Sequence, residues 1–144
     1  MLDVPVSHTL GAGQTGEVQG SPRILLRLEG LAVLAAAALA YKAAGASWTF
    51  FALLFFAPDL SFAGYLVDPR IGAATYNSVH TYIAPIGLGL AALAFAWPTI
   101  WLLSLIWAAH IGFDRSLGYG LKYPTAFGDT HLGAIGPRDK MKTL

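Results

Sequence analysis

Four apolar segments, separated by short polar or proline-containing turns, dominate the chain between residues 23 and 117. They cover residues 23–43, 47–66, 71–96 and 98–117. Each is close to the roughly 20 residues that a helix needs to cross about 30 Å of hydrocarbon. None has the strict alternation of a barrel strand. Because unpaired backbone is too costly in lipid, the pattern predicts an all-α integral membrane protein with four spanning helices.

The connections between these segments predict an antiparallel bundle. Gly45 and Ser47 punctuate the first turn, and Ser47 is a suitable N-cap for the second helix. A Val-Asp-Pro-Arg turn at 67–70 separates the second and third segments, and Pro98 opens the fourth. Turns this short make consecutive helices antiparallel neighbours. A variant with three spans, in which the fourth segment lies in the interface, is the alternative.

Composition supports the membrane prediction. Apolar residues make up 56% of the 144 residues and charged residues only 12%, about half the usual share of charge. The chain has no cysteine, which excludes disulfides, thiolate metal sites and cysteine nucleophiles. The net charge of +1 implies no strongly basic or acidic partner, and nucleic-acid binding has no support in the sequence.

Charge distribution predicts the orientation. With four crossings, one side of the membrane carries eight of the nine basic residues, and the other carries only Lys42. The eight are Arg23, Arg27, Arg70, Arg115, Lys122, Arg138, Lys140 and Lys142. Because cytoplasmic loops are enriched in Lys and Arg, both termini are expected in the cytoplasm, which for a bacterial protein means insertion in the inner membrane.

The regions outside the spans differ in character. Residues 1–22 are polar and glycine-rich, lack the features of a signal peptide, and are expected to form a flexible leader. Residues 118–144 comprise a Gly/aromatic loop on the cytoplasmic face and a basic tail attracted to anionic lipid.

Four titratable residues within the spans form a candidate polar site: Asp59, His80, His110 and Asp114. Counted from the segment ends at 1.5 Å per residue, the first three lie about 10–13 Å from the cytoplasmic boundary. Asp114 is one helical turn from His110 on the same helix face. Charged groups in hydrocarbon are costly and normally face the bundle interior. Three helices therefore bring polar groups to nearly one level.

These residues suit a divalent metal, because histidine and carboxylate ligands bind Zn, Mn or Fe. Such a metal would support a membrane-embedded enzyme, while a polar-ligand site or a proton relay would use the same groups. The competing interpretation is a set of structural hydrogen bonds that staple the helices. Supporting residues are Tyr76, Asn77, Arg70 and Arg115, the last as a neutralising partner of Asp114 or a headgroup contact. Asp129 and His131 join the site if the cytoplasmic loop folds back over it.

Other functions remain open. The chain suits an accessory subunit or assembly factor of a larger energy-transducing or pigment-containing membrane complex, or a homo-oligomer. Histidines also ligate haem or a pigment. A transporter role is weakened because the two halves, 23–66 and 71–117, show no internal repeat.

Three stretches resemble an uncharacterised bacterial family of small multi-pass membrane proteins, domain of unknown function 4260. They are LLRLEGLAVL, FFAPDLSFAGYLVDPRIGAATYNSVHTYIAP and WAAHIGFDRSLGYGLKYPTAFGDTHLG, and the resemblance covers residues 24–136. The resemblance includes all four candidate site residues and implies a helical membrane protein. It implies no activity, substrate or cofactor.

Overall fold

The computed structural model describes residues 16–136, which form a helical protein without a named strand in that range. The predicted all-α class is confirmed. The elements are α1 (Gly20–Ala43), α2 (Trp48–Phe55), a 3₁₀ segment (Ala57–Leu66), α3 (Pro69–Val79), α4 (Ile83–Ala94) and α5 (Pro98–Leu117). The first 15 residues of the expected leader and the basic tail from 137 onwards lie outside the described residues.

The second apolar segment is not one continuous α-helix. α2 ends at Phe55, and the chain continues as the 3₁₀ segment, with Pro58 in its first turn. Proline has no N–H to donate, and its ring clashes with the carbonyl four residues earlier, so the α-helix stops before it. The change of helix type places Asp59 on the first turn of the new segment.

The third apolar segment is also divided, into α3 and α4, with a break at residues 80–82. Pro85 explains where the second part begins. A helix that begins at Ile83 places Pro85 in its first turn, where a backbone N–H has no intrahelical partner in any case. The break leaves His80 at the end of α3 and exposes carbonyl groups that other side chains must satisfy.

α5 is the centre of the packing and contacts α1, α4 and α2. Its closest approach is to α1, where two glycines meet. A β-carbon on Gly112 would lie 2.7 Å from the Gly30 carbonyl oxygen, and one on Gly30 would lie 2.4 Å from the Arg115 β-carbon. Small residues at such crossings allow helix backbones to pack closely in lipid.

Two segments are long and apolar enough to cross a membrane by length and composition, Gly20–Ala43 and Trp48–Leu66. Their apolar residues mostly face outward, since only 17% and 6% of the respective hydrophobic windows are buried. A core helix of a soluble protein would be buried instead. These two candidate spans support the membrane prediction in a coarser form than the four spans expected from sequence.

The loop after α5 folds back onto the helices. Gly118 ends the helix in the left-handed conformation, and an isolated antiparallel bridge joins Lys122 to Thr130. The chain before α1 packs on this loop, because the Val18 N–H donates to the His131 carbonyl at 2.8 Å. The expected leader therefore contacts the loop at its end, and the first helix begins at Gly20 rather than Arg23.

Candidate metal centre

The four polar residues predicted within the spans converge in one buried cluster. Asp59 comes from the 3₁₀ segment, His80 from the end of α3, and His110 and Asp114 from α5. One possible ligand atom from each lies within 4.8 Å of all the others. Three separate segments of the chain thus build the cluster, and we call it the Asp/His cluster.

The two histidines face each other through their Nε2 atoms, which are 3.1 Å apart. Asp59 Oδ1 lies 3.5 Å from His80 Nε2 and 3.3 Å from His110 Nε2. Asp114 Oδ2 lies 3.6 Å from His80 Nε2 and 3.7 Å from His110 Nε2. The histidine side chains are almost fully buried, whereas the Asp59 side chain is 33% exposed. The cluster is therefore closed on its histidine side and accessible at Asp59.

Tyr76 fixes the state and orientation of the His80 ring. The carbonyl oxygen of Tyr76 is only an acceptor, so His80 Nδ1, at 3.0 Å, must carry the proton and donate to it. The Tyr76 ring stacks on the imidazole with a centroid distance of 3.7 Å. A neutral His80 then presents a lone pair at Nε2 toward the cluster centre. This backbone contact is the kind of outer hydrogen bond that orients metal-binding histidines.

The same tyrosine also holds a carboxylate. Its hydroxyl donates to Asp114 Oδ2 at 3.0 Å in a buried contact. Tyr76 therefore contacts one histidine through its carbonyl and ring and one carboxylate through its hydroxyl. His110 lacks such support, because its buried Nδ1 has no hydrogen-bond partner among residues 16–136. Its ring packs edge-on against Phe55 instead.

The sequence suggested an ion pair between Arg115 and Asp114, but the structure shows none within residues 16–136. Arg115 donates to two backbone carbonyls, from Nη2 to His80 at 2.8 Å and from Nη1 to Tyr119 at 2.7 Å. Trp107 Nε1 donates to the Val79 carbonyl at 2.7 Å. The two side chains satisfy carbonyls released at the break after α3, and they hold that break against α5. Arg115 is thus buried and stabilises the break through backbone carbonyls.

The other predicted supporting residues lie outside the Asp/His cluster. Asn77 accepts from the Lys122 N–H at 2.7 Å and donates to the Lys122 carbonyl at 2.8 Å. His131 accepts from the Leu121 N–H, and Asp129 accepts from the Thr125 hydroxyl, so both stabilise the loop. Arg70 is exposed at the start of α3. The loop does fold back as expected, but Asp129 and His131 do not join the cluster.

Sequence reasoning missed Lys122 as a site residue. Its side chain is buried, and Nζ donates to the Phe127 carbonyl at 2.7 Å. Nζ also lies over the rings of Phe127, Tyr76 and Phe62, at 3.7, 4.9 and 5.3 Å from their centroids. Burial lowers the pKa of Lys122 to about 8, against the opposing pull of Asp114 and Asp59. The sequence feature that could have indicated its role is a lysine within an aromatic-rich loop.

A pocket of about 290 Å³ opens beside the Asp/His cluster. Asp59 and Asp114 form part of its wall, together with Tyr76 and Lys122. Aromatic side chains, including Phe62 and Phe127, supply much of the remainder. The exposed side of the cluster therefore faces a cleft that is mostly apolar and has one cationic group.

The cluster geometry resembles a four-coordinate metal site. Zinc binds imidazole nitrogen and carboxylate oxygen at about 2.0–2.2 Å, so the edges of a regular tetrahedron of such ligands are roughly 3.4 Å. Five of the six ligand separations lie between 3.1 and 3.7 Å. Because the Nε2 atoms of His80 and His110 are only 3.1 Å apart, no macrocycle fits between the two histidines. The donor set fits a single ion better than haem or a pigment.

Comparison with known proteins places the chain in a family. A family model described as a domain of unknown function, DUF4260, matches residues 23–135. The chain belongs to the DUF4260 family. This confirms the resemblance seen in the sequence, and the matched region contains all four cluster residues. No curated protein and no solved structure matches the chain.

Proposed function

We propose that this DUF4260 protein is a bacterial inner-membrane protein that binds one divalent transition-metal ion in the Asp/His cluster, with zinc as the best geometric fit. The ion is held by Asp59, His80, His110 and Asp114. The observation that carries the proposal is the orientation of four lone-pair donors toward one point. Manganese and iron suit the same donor types but favour additional ligands.

The hydrogen-bond pattern favours a metal over a network of protons. His80 donates its proton at Nδ1, so its Nε2 has only a lone pair to offer. His110 Nε2 and the Tyr76 hydroxyl can each place one proton in the cluster, but two carboxylates and two imidazoles converge there. A divalent cation satisfies all four acceptors at once and neutralises both carboxylates. Buried carboxylates without such compensation are costly.

The membrane assignment is supported by the outward-facing apolar side chains. Leu53, Leu60 and Leu66 are 77–89% exposed along α2 and the 3₁₀ segment. Ile83 on α4 is also 80% exposed. Monomeric soluble proteins rarely expose such large apolar surfaces, whereas lipid covers them without cost. Together with the charge bias, this supports four crossings with both termini in the cytoplasm.

The break in the third apolar segment is compatible with a position inside the membrane. Non-helical backbone at that depth is tolerated only where it is buried in protein or lines a cavity. Here Trp107 and Arg115 provide donors for the carbonyls of Val79 and His80. The break therefore places a histidine at the cluster without leaving these two carbonyls to lipid.

Metal analysis of the protein purified in mild detergent tests the proposal. We expect about one zinc per chain after dialysis, and its loss in both His110→Gln and Asp59→Asn. Asp129→Asn is the matched control, because its carboxylate lies in the loop, and it should retain the metal. Equal metal content in all four proteins would overturn the proposal. The mass of the same samples distinguishes a monomer or homo-oligomer from a complex with other chains.

A further inference from the structure

The pocket beside the Asp/His cluster has the properties of a ligand site. Ligand pockets are mostly apolar with a few convergent polar groups, and their volumes begin near 300 Å³. This pocket combines two carboxylates of the cluster, the Tyr76 side chain and the Lys122 ammonium with a set of aromatic rings. Two of the polar groups, Asp59 and Asp114, are also candidate ligands of the metal.

Lys122 is the group that the fold leaves incompletely satisfied. An ammonium has three donors, and among residues 16–136 Nζ has one hydrogen-bond acceptor, the Phe127 carbonyl. The side chain is only 4% exposed, so bulk water has little access to the remaining donors. Aromatic faces stabilise the charge in part. An anion in the pocket would complete the set of partners.

Contacts to the backbone of Lys122 fix its position. Asn77 on α3 binds both the N–H and the carbonyl of Lys122. The bridge to Thr130 adds a further backbone constraint. The Lys122 Nζ atom thereby lies over the rings of Phe62, Phe127 and Tyr76. A fixed cation beside a metal is preorganised for an anionic group.

The charge balance selects a monoanion. With a divalent metal bound, the carboxylates of Asp59 and Asp114 bring the cluster to neutrality. Lys122 is then the cation on the pocket wall, because Arg115 does not line the pocket and donates to the carbonyls of His80 and Tyr119. A carboxylate carries one negative charge, whereas a phosphomonoester carries about −1.5 to −2 at pH 7. A single carboxylate therefore balances the site, and a phosphate monoester overcompensates it.

The outer part of the pocket suits an apolar tail. Phe56 and Phe127 on its wall are 60% and 49% exposed, so the aromatic surface continues to the outside. Leu60, one residue after Asp59, is 78% exposed on the same segment. A ligand with its head in the pocket would have its tail along surface that is already apolar.

We propose that this pocket binds an amphipathic monocarboxylate, with the carboxylate held by the Lys122 ammonium beside the metal-loaded Asp/His cluster and the apolar tail on the surrounding aromatic side chains. The inference rests on the proposed metal function, because the metal neutralises Asp59 and Asp114, two carboxylates on the pocket wall that would otherwise repel an anion. Lys122 and the aromatic wall select charge and shape.

Calorimetric titration of the metal-loaded protein in nonionic detergent tests the inference. The probes are octanoate, octan-1-ol and octyl phosphate, which share a tail and differ in head group. We expect octanoate to bind at least tenfold more tightly than either of the others. Octanoate that binds no more tightly than octan-1-ol would overturn the inference, whatever the variants do.

The variants separate the role of Lys122 from that of the metal. Lys122→Met keeps an unbranched side chain but removes the ammonium, and it should weaken octanoate binding at least tenfold while retaining about one metal per chain. Lys42→Met, at the exposed end of α1, is the control and should bind octanoate like the wild type. Removal of metal by a chelator should also weaken octanoate binding.

The two proposals fail in different ways. Metal-loaded protein that does not distinguish octanoate from octan-1-ol overturns the carboxylate site and leaves the metal site standing. Protein that retains no metal overturns both. Unchanged octanoate affinity in a folded Lys122→Met overturns the role of the lysine.

Discussion

Tyr76 contacts two candidate metal ligands, His80 and Asp114, and acts on the metal site through them. Its carbonyl fixes the His80 proton at Nδ1, and its hydroxyl donates to Asp114. Tyr76→Phe removes only the hydroxyl contact. Loss of an outer-shell hydrogen bond typically weakens metal affinity 10–100-fold. We expect a weakening of about that size in a competition titration with a chromogenic chelator.

Tyr123→Phe is the control for that substitution. Tyr123 lies on the loop after α5, and its hydroxyl donates to the carbonyl of Gly16, before α1, rather than to a residue of the Asp/His cluster. Its metal affinity should equal that of the wild type. If Tyr76→Phe also binds metal like the wild type, the Asp114 carboxylate does not depend on the tyrosine.

Lys122 has a second measurable consequence, in the pH dependence of stability. Burial lowers its pKa from 10.5 to about 8 in the folded protein, although Asp114 and Asp59 favour the charged form. Between these two values the unfolded chain holds a proton that the folded chain lacks. The free energy of unfolding contributed by this group therefore rises with pH from about 8 to 10.5.

The comparison of wild type with Lys122→Met isolates this contribution. Thermal unfolding in detergent, measured at intervals between pH 7.5 and 10.5, should show the wild type gaining stability relative to the variant as pH rises. Other lysines and tyrosines titrate in both proteins and cancel in the difference. Parallel curves for the two proteins would show that Lys122 has an ordinary pKa.

The position of each polar residue along its apolar segment was as informative as its identity. Depth along the segments predicted that Asp59, His80 and His110 lie at one level, and the structure brings them together with Asp114. The pairing of Arg115 was not predictable, because its acceptors are backbone carbonyls created by a helix break. Lys122 was missed because only the folded loop brings it to the cluster.

At the scale of elements, the α1–α5 crossing makes the strongest structural prediction. Gly112→Ala places a methyl group 2.7 Å from backbone atoms of Gly30 and Leu34. Backbone cannot yield as a flexible side chain does, so α1 and α5 must separate. Overpacking of this kind typically costs about 1–3 kcal/mol. We expect a clear fall in the free energy of unfolding in mild detergent.

Gly87→Ala provides a matched control within α4. No atom lies within 4 Å of a β-carbon built there, and the residue is inside a regular helix. Alanine is favoured over glycine in a helix by roughly 0.5–1 kcal/mol. The control should therefore be as stable as the wild type or slightly more so. Equal losses in both variants would mean that the crossing does not depend on Gly112.

The helix breaks show what apolar periodicity alone cannot reveal. Pro58 and Pro85 were visible in the sequence, and each marks a real change of helix near it. A proline inside a helix commonly kinks it, yet Pro58 lies in the first turn of ten residues of 3₁₀ helix. The second break begins at His80, several residues before Pro85, because tertiary contacts from α5 stabilise the freed carbonyls. A proline in the sequence indicates roughly where a helix breaks, and tertiary packing determines the residue at which it does.

At the scale of the whole molecule, the proposed topology makes a direct prediction. The described residues contain no cysteine, and neither does the rest of the chain, so single-cysteine variants report position cleanly. Ala44→Cys lies in the turn after α1 and Ala126→Cys in the loop after α5, both at exposed positions. With both termini inside, a membrane-impermeant maleimide should label only Ala44→Cys in spheroplasts.

Permeabilised cells provide the control, because both variants should then be labelled. Labelling of Ala126→Cys alone in intact spheroplasts would invert the orientation. Labelling of both before permeabilisation would contradict the three crossings that the proposed topology places between these two positions. It would favour the arrangement in which the last segment does not cross.

X-ray absorption at the zinc edge of the zinc-loaded protein is the direct test of whether four side chains from three segments hold one metal ion. We expect a shell of about four nitrogen and oxygen ligands at about 2.0–2.2 Å, with the outer-shell scattering of two imidazoles. A first shell without imidazole scattering, or a zinc ion that dialysis removes, would contradict that expectation.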